Sequence, residues 1–448
     1  MLRRTPIIVI LGSTATGKTK LSIELAKRFG GEVISADSMQ VYKGLDISTA
    51  KATKDEQSQA VHHLLDICDV QTRTFGVVDF RNKALPIINE LLINSKVPVI
   101  VGGTTYYIES LLWKVLIDQK IPTTSTPDEK IKENILKALL DYDKNAGDPM
   151  ILHNLLAQID PVSAQRLHPN TGRKVRRALE VFIETGRPMS EILSEQQSSD
   201  GGSLLGGPLR FEHVICFWIK TEQEKLNERI DRRIDGMIAQ GMLYEIRKCY
   251  KELIVDGIDP ERGMMQAIGF KEFLPYLEKY PDESFDTEIT EFIISRGGVS
   301  GQKKLPVNYR TAEGLKLLEK CLDELRMRTK QYSRKQIKWV KNRIVSSKGR
   351  PTPPVYELDT TNAETNWYED VHLKAVDVIE SYIENKEPKI KPAQAMDHAS
   401  SQMNMNVTHF CDECQLRLVG DPAFNAHMRS GRHQKTLKRL NKKNAKKA

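Results

Sequence analysis

The sequence predicts an α/β protein: a parallel sheet flanked by helices, interrupted by a helical insertion and followed by a small metal-binding module. Three observations predict it. Apolar runs of strand length alternate with amphipathic stretches of helical period near the N-terminus. A glycine-rich string, G-x4-G-K-T, joins the first such strand to the first such helix. Two cysteines and two histidines stand at metal-ligand spacing near the end of the chain.

Four apolar runs read as strands: Ile7–Leu11, Glu32–Ala36, Val97–Val101 and His213–Ile219. Helical stretches such as Lys18–Phe29 and Asp79–Asn94 separate the first three, and that alternation makes parallel neighbours with helices on both faces. From Lys120 to Gln197 no strand signal occurs, while Lys130–Tyr142, Asp148–Ile159 and Gly172–Glu184 carry helical patterns. A helical insertion is therefore expected over 123–208, closed by the Ser- and Gly-rich loop Gln196–Pro208. The core is expected to comprise 1–122 and 209–346, with 347–385 as its C-terminal extension. Residues 386–405, with Pro388, Pro392, Ser400 and Ser401 among polar neighbours, read as a flexible linker. Residues 406–448 remain for the metal-binding module and its tail.

The 448 residues carry 67 Lys and Arg against 59 Asp and Glu. Nine of those cations follow Met428 with no acid among them, so the rest of the chain is almost neutral. A basic arm of that kind suits a polyanion. No apolar run approaches the ~20 residues of a membrane helix, which excludes a helical spanning protein, and no membrane partner is expected. Cys68, Cys216, Cys249 and Cys321 are scattered singly and read as reduced core residues. Met1–Arg4 before Pro6 leaves too little for a signal or transit peptide, so a reducing, intracellular compartment is expected.

The string Gly12-Ser13-Thr14-Ala15-Thr16-Gly17-Lys18-Thr19 follows a strand and opens a helix, the setting of a phosphate-binding P-loop. Glycines let backbone N–H groups turn inward, and the helix N-terminus adds partial positive charge. Lys18 supplies a point charge, and Thr19 a hydroxyl for Mg2+. The core is thus expected to be P-loop NTPase-like and to hold a diphosphate or triphosphate. Hydrolysis is harder to read. The run Val97–Val101 ends in Gly102-Gly103-Thr104, with no metal-holding acid where P-loop hydrolases carry one. Asp37, directly after the second strand, lies at the sheet edge where open α/β sheets bind ligands. It could deprotonate a nucleophile beside the phosphates, or simply cap a turn.

At this point the residues resemble the tRNA dimethylallyltransferase (tRNA isopentenyltransferase) family. The resemblance rests on Asp37-Ser38-Met39-Gln40-Val-Tyr42, Gly44–Lys51, His62-His63-Leu-Leu-Asp66, Gly102–Tyr107, Arg176-Arg177-Ala-Leu-Glu-Val181 and Gln266-Ala-Ile-Gly269-Phe-Lys271-Glu272, in family order over roughly residues 5–345. It implies transfer of a dimethylallyl group from dimethylallyl diphosphate to N6 of the adenosine 3′-adjacent to the anticodon, so the expected partner is a tRNA anticodon stem-loop. It further implies that Asp37 is the general base and that Gly12 through Thr19 hold the diphosphate, with Thr19 on Mg2+. Thr104 and Arg233 would stabilise the leaving group. Thr16 stands where many members carry Ser. By the same resemblance Asp37, Ser38, Met39, Gln40, Arg173, Lys174, Val175, Arg176, Arg177, Gln266 and Lys271 would meet tRNA. A monomer is expected, cytoplasmic with mitochondrial and nuclear pools.

Taken without the family, Arg173, Lys174, Arg176 and Arg177 read first as a solvated helix face. Arg334, Lys338 and Lys341 fall at i, i+4 and i+7, one helix face, and suit an RNA backbone. Cys411-x2-Cys414-x12-His427-x5-His433 is a Cys2His2 arrangement able to close a structural Zn2+ site, with Phe424 as its core aromatic. Its five-residue His spacing resembles matrin-type fingers, and its helix is expected to continue into the basic stretch Lys435–Lys447. Two other readings remain open on residues alone: a small-molecule kinase using ATP, and a nucleic-acid-binding regulator with a vestigial loop.

Overall fold

The structure is a computed structural model, and it describes residues 5–72, 74–114, 129–145, 148–200, 202–203, 206–255, 263–280, 286, 290–291, 309–345, 350–394 and 407–444. The chain divides into two compact units, 1–114 with 209–396 and 115–208 with 397–448. In the first, β1 (Ile7–Gly12), β2 (Glu32–Ser35), β3 (His62–His63), β4 (Pro98–Val101), β5 (Val214–Lys220) and β6 (Val355–Asp359) form one sheet in the order β3-β2-β4-β1-β5-β6. Every pairing is parallel, for example Ile8 beside Val99 and Ile215. Neither β3 nor β6 is among the four strands expected. β3 is two residues long, and β6 is an edge strand with alternate residues exposed, so neither makes an apolar run.

α1 (Lys18–Phe29) starts from Gly17 and stops at Gly30, both left-handed, with Lys27 and Arg28 complementing its C-terminal dipole. Its Leu21 and Leu25 pack on Ile8, Ile10 and Val99 of the sheet. α2 (Lys54–Gln59) is a short surface turn opened by the capping box of Thr53 and Glu56. α3 (Val77–Ile93) and α4 (Thr105–Leu112) follow, joined by the stacked rings of Phe80 and Tyr107 with centroids 4.2 Å apart.

The second unit holds α5 (Glu129–Asn145), α6 (Pro149–Ile159), α7 (Pro161–Arg166), α8 (Gly172–Thr185) and α9 (Met189–Ser198), with no strand among its described residues before 203. The helices close over Ile135, Leu139, Leu152, Leu156, Val175 and Leu179. Asp160 accepts from the N–H and hydroxyl groups of both Ser163 and Ser190, which fixes α7 and α9 and holds its carboxyl below the usual range despite burial. Neither α7 nor α9 is among the stretches expected. α9 runs to Ser198, into the segment expected to be loop.

In the first unit, α10 (Gln223–Ala239), α11 (Met242–Val255), α12 (Leu274–Lys279) and the 32-residue α13 (Tyr309–Val340) enclose a second core. Leu226, Ile230, Ile234 and Ile238 line one stripe of α10 against Leu318, Leu322 and Leu325 of α13. A π-helical turn, Lys341–Val345, ends α13. Arg343 there and Arg350 beyond it both donate to buried Glu109, and Arg350 also lies over Trp113. Glu109 is the first acid after β4, and it is spent on these cations. α14 (Ala363–Trp367) and α15 (Leu373–Glu384) then cover the α1 face of the sheet. Residues 386–394, expected as the start of a free linker, are held instead. Lys389 N–H donates to Asp377, Ala393 N–H to Val355 O, and Ile390 packs against the core. The remaining linker residues, 395–405, lie outside the described residues.

The C-terminal module pairs β7 (Thr408–Cys411) with β8 (Leu416–Val419) antiparallel, then adds α16 (Asp421–Met428) and α17 (Gly431–Asn444). The expected single continuing helix is broken at Arg429 and Ser430, so His427 and His433 sit on different helices.

Candidate functional site

The strand order builds the site. β4 lies between β2 and β1, so three adjacent C-terminal strand ends deliver Asp37, then Gly102-Gly103-Thr104, then the loop Gly12–Thr19 to one edge of the sheet. The loop is wound by left-handed Ala15 and Gly17, with φ of 63° and 89°. A side chain at Gly17 would also place its Cβ 2.8 Å from the Trp367 ring, so glycine is required there twice over. Ser13 O accepts from Thr16 Oγ1 at 2.9 Å and from Lys18 Nζ at 2.5 Å, closing the loop on itself. Thr19 follows on the first turn of α1, half-buried.

Asp37 Oδ1 accepts from its own downstream Met39 N–H at 3.0 Å, which orients the carboxylate. Thr104 ties the second and fourth strand ends together: its N–H donates to Ala36 O, its Oγ1 accepts from Ser38 N–H at 2.9 Å and donates to Ser38 Oγ at 3.2 Å. From α10, Arg233 reaches back over the loop to donate to Thr14 Oγ1 at 3.3 Å. These placements join Asp37, Thr104, Arg233 and the phosphate loop in one unit.

Charge is concentrated there. Burial pushes the Lys18 ammonium down to about 7; Arg233 adds to the effect, while Asp37 opposes it. Burial likewise lowers Arg233, with Asp37 and Glu56 pulling the other way. Burial first, and then Asp37, raises the phenol of Tyr332. Two cations lie close together with one carboxylate near enough to oppose both shifts, an arrangement able to hold an anionic group.

The residues expected to meet RNA separate into those that face outward and those that do not. Arg334 and Lys338 are exposed on α13, and Lys341 is half-buried on the π turn that follows rather than on the same helix. Lys271 donates to Gln266 at 3.0 Å on the surface. Gln40 is committed internally, accepting from Ser35 Oγ and donating to the carbonyls of Thr49 and Ala50, and Met39 packs against the second core. In the other unit, Arg173 and Lys174 are exposed on α8, whereas Arg176 pairs with Glu180 at 2.8 Å and Arg177 with Glu184 at 3.2 Å. Val175 corrects the expectation: its side chain is wholly buried in the bundle, because the helical period turns it inward between the cations.

Cys411, Cys414, His427 and His433 bring their ligand atoms within 4.8 Å of one another. His433 Nδ1 is 3.6 Å from Cys411 Sγ and 3.4 Å from Cys414 Sγ. Zn–S and Zn–N bonds of about 2.3 and 2.0 Å at tetrahedral angles separate sulfur from nitrogen by ~3.5 Å. His427 Nε2 is buried with no hydrogen-bond partner, so the quartet could hold a metal ion. Phe424 stacks on His409 with centroids 4.5 Å apart.

Sequence reasoning passed over Gln336 and Tyr332. Gln336 is buried and bridges two parts of the site: Thr14 N–H donates to its Oε1 at 3.0 Å, and its Nε2 donates to Gly103 O at 2.9 Å. Tyr332, one turn earlier, reaches the same Gly103 O. The available signal was polarity where α13 should be apolar, since Ser333, Gln336 and Val340 share its buried stripe.

A parallel sheet whose central strand feeds a phosphate loop, with an acid at the end of the next strand but one, defines a P-loop protein. Glu109 is buried in ion pairs, and Gly102 follows β4 directly, where hydrolases of this class hold an acid. Within that class the chain belongs to the IPP transferase family, whose model matches residues 40–343. It is 39% identical to a tRNA dimethylallyltransferase of Homo sapiens over 444 residues, covering 98% of this chain and 87% of that one. A tRNA dimethylallyltransferase of Schizosaccharomyces pombe is 31% identical, with 97% and 95% covered. A eukaryotic dimethylallyltransferase solved in crystallographic snapshots acting on tRNA superposes with a TM-score of 0.75 at 26% identity, covering 99% of both chains.

Proposed function

We propose that this protein transfers a dimethylallyl group from dimethylallyl diphosphate to N6 of the adenosine 3′-adjacent to the anticodon of a tRNA. The observation that carries the reading is the convergence of Lys18, Arg233 and the phosphate loop on one side and Asp37 on the other. The allylic C–O bond breaks as the N6–C bond forms; the electron pair leaves with diphosphate, and the N6 proton passes to Asp37. Lys18, Arg233 and the inward N–H groups of the loop stabilise the charge gathering on the leaving group, a preorganised arrangement that lowers the barrier. Thr104, fixed against Ser38, offers a further hydroxyl between the two sides.

Thr19 would hold Mg2+ through its hydroxyl, and the ion would supply positive charge against the diphosphate. The Cys411, Cys414, His427 and His433 quartet fits a structural Zn2+, which would supply the folding energy that a ~40-residue module lacks in apolar core. An adenine amine is inaccessible in a stacked loop, so the base must be turned out toward Asp37. Exposed Arg334 and Lys338 suit the RNA backbone, as do Arg173 and Lys174 on the other unit. The protein would act as a cytoplasmic monomer with mitochondrial and nuclear pools.

The test is single-turnover transfer from labelled dimethylallyl diphosphate to tRNA, against an ATP control that would expose a kinase. Asp37→Asn should keep the fold and tRNA affinity yet lose ~10²–10⁴ in rate, the usual worth of a positioned base. Near-wild-type turnover of that variant would remove Asp37 from the mechanism.

A further inference from the structure

The two halves of the site, the phosphate loop and the Asp37–Thr104 side, come from different strands and have no covalent reason to keep a fixed spacing. The β1–β4 ladder pairs the strands themselves as far as Ile10 and Val101, and the loops beyond it are joined by side chains. Lys18 and Thr16 bond within the loop, while Thr104 bonds to Ser38 and, on the helix that carries Gln336, to Tyr332. Gln336 crosses. Its one amide accepts from Thr14 N–H, whose hydroxyl is the Arg233 contact, and donates to Gly103 O, the residue before Thr104. The approach is close: a Cβ at Gly103 would stand 2.5 Å from Gln336 Nε2 and 3.3 Å from Asp37 Oδ2. Glycine at 103 therefore makes room for this side chain.

We propose that Gln336 is a positioning residue that holds the leaving-group end of the site in register with the nucleophile end. Arg233 and Thr14 set where diphosphate sits; Thr104, Ser38 and Asp37 set where the amine sits; the Gln336 amide sets the distance between them. The helix that carries it is 32 residues long, and it is anchored beyond its end by the ion pairs of Arg343 and Arg350 with buried Glu109. Tyr332 supports the same turn through Gly103 O. A register of this kind has little to do with how tightly either substrate binds alone. It matters when a C–N bond must form across the gap, where a misplacement of ~1 Å costs ~10²-fold in rate.

The inference rests on the transfer reaction proposed above, and the experiment separates the two. Wild-type protein without transfer activity would sink that reaction; active wild type makes Gln336 testable. Q336M keeps the volume and removes both hydrogen bonds. Q336N keeps the amide but is one methylene too short to span Thr14 and Gly103. Both should lower the single-turnover rate at saturating tRNA and dimethylallyl diphosphate by ~10–100-fold. Their dissociation constants for tRNA and for inorganic pyrophosphate should stay within about threefold of wild type. Thermal melts in the presence of pyrophosphate report the fold, and if Q336M melts far below wild type the conclusion is drawn from Q336N. A rate within twofold of wild type would overturn the assignment. So would a pyrophosphate affinity that falls in step with the rate, which would make Gln336 a binding residue only. Full recovery in Q336N would show that polarity, and not the span, is what counts.

Discussion

Raising the pH from 6 to 8 should turn diphosphate binding from a nearly proton-neutral event into one that takes up a proton at Lys18. The free protein holds this ammonium at about 7, through burial and through Arg233. It is therefore ~10% neutral at pH 6, half neutral at pH 7 and ~90% neutral at pH 8. A diphosphate on the loop brings negative charge against it and restores the charged form. Binding at pH 8 should then draw ~0.9 proton, and affinity should fall nearly tenfold per pH unit above 7. The sign for stability is opposite. Between about 7 and the unfolded value of 10.5 the unfolded chain carries a proton the folded one lacks, so this group makes the unliganded protein more stable as pH rises through that window. Calorimetric titration with inorganic pyrophosphate in two buffers of different ionisation enthalpy counts the protons. Lys18→Arg, charged throughout, gives the part due to the ligand. A difference between the proteins below ~0.2 proton at pH 8 would refute the reasoning.

Ending the chain at residue 395 removes the nine tail cations but no residue of the phosphate site, so prenyl transfer should persist. With some six phosphates contacted, the log–log salt slope of tRNA binding should flatten by ~4–5 units, and identical slopes would show that the tail does not touch this RNA. Cys411→Ser should abolish stoichiometric zinc by metal analysis and unfold the C-terminal module, but cost less tRNA affinity than truncation because the cations remain. Glu109→Ala leaves Arg350 buried without its carboxylate, both side chains being fully buried in the pair. Denaturant unfolding should show a loss of ~3–5 kcal/mol, and a loss under ~1 kcal/mol would mean that the pair adds little.

The phosphate loop, Asp37, the Cys-His quartet and the helical insertion were all legible along the chain, because each depends on neighbours in sequence. A nest of N–H groups needs its glycines at fixed spacing, a strand end needs an apolar run before it, and helices show their period locally. The two edge strands escaped notice for the same reason: β3 is too short for a pattern, and β6 is half solvent-exposed. Two readings of helix faces required the third dimension. Val175 sits among four cations in sequence, yet its side chain is the packing surface of α8. Lys341 lies at the spacing that would continue the face of Arg334 and Lys338, but the helix has already passed into a π turn. The largest share left to tertiary structure is the pairing of distant parts. Gln336 meets Thr14 across 322 positions, and nothing local in either segment specifies that bond. Strand order decides it: inserting β4 between β1 and β2 brings Gly103 beside the loop, and only then does a polar residue in the buried stripe of α13 have two partners to satisfy. Sequence determined which chemical groups are present, and the order of the strands determined which of them face one another.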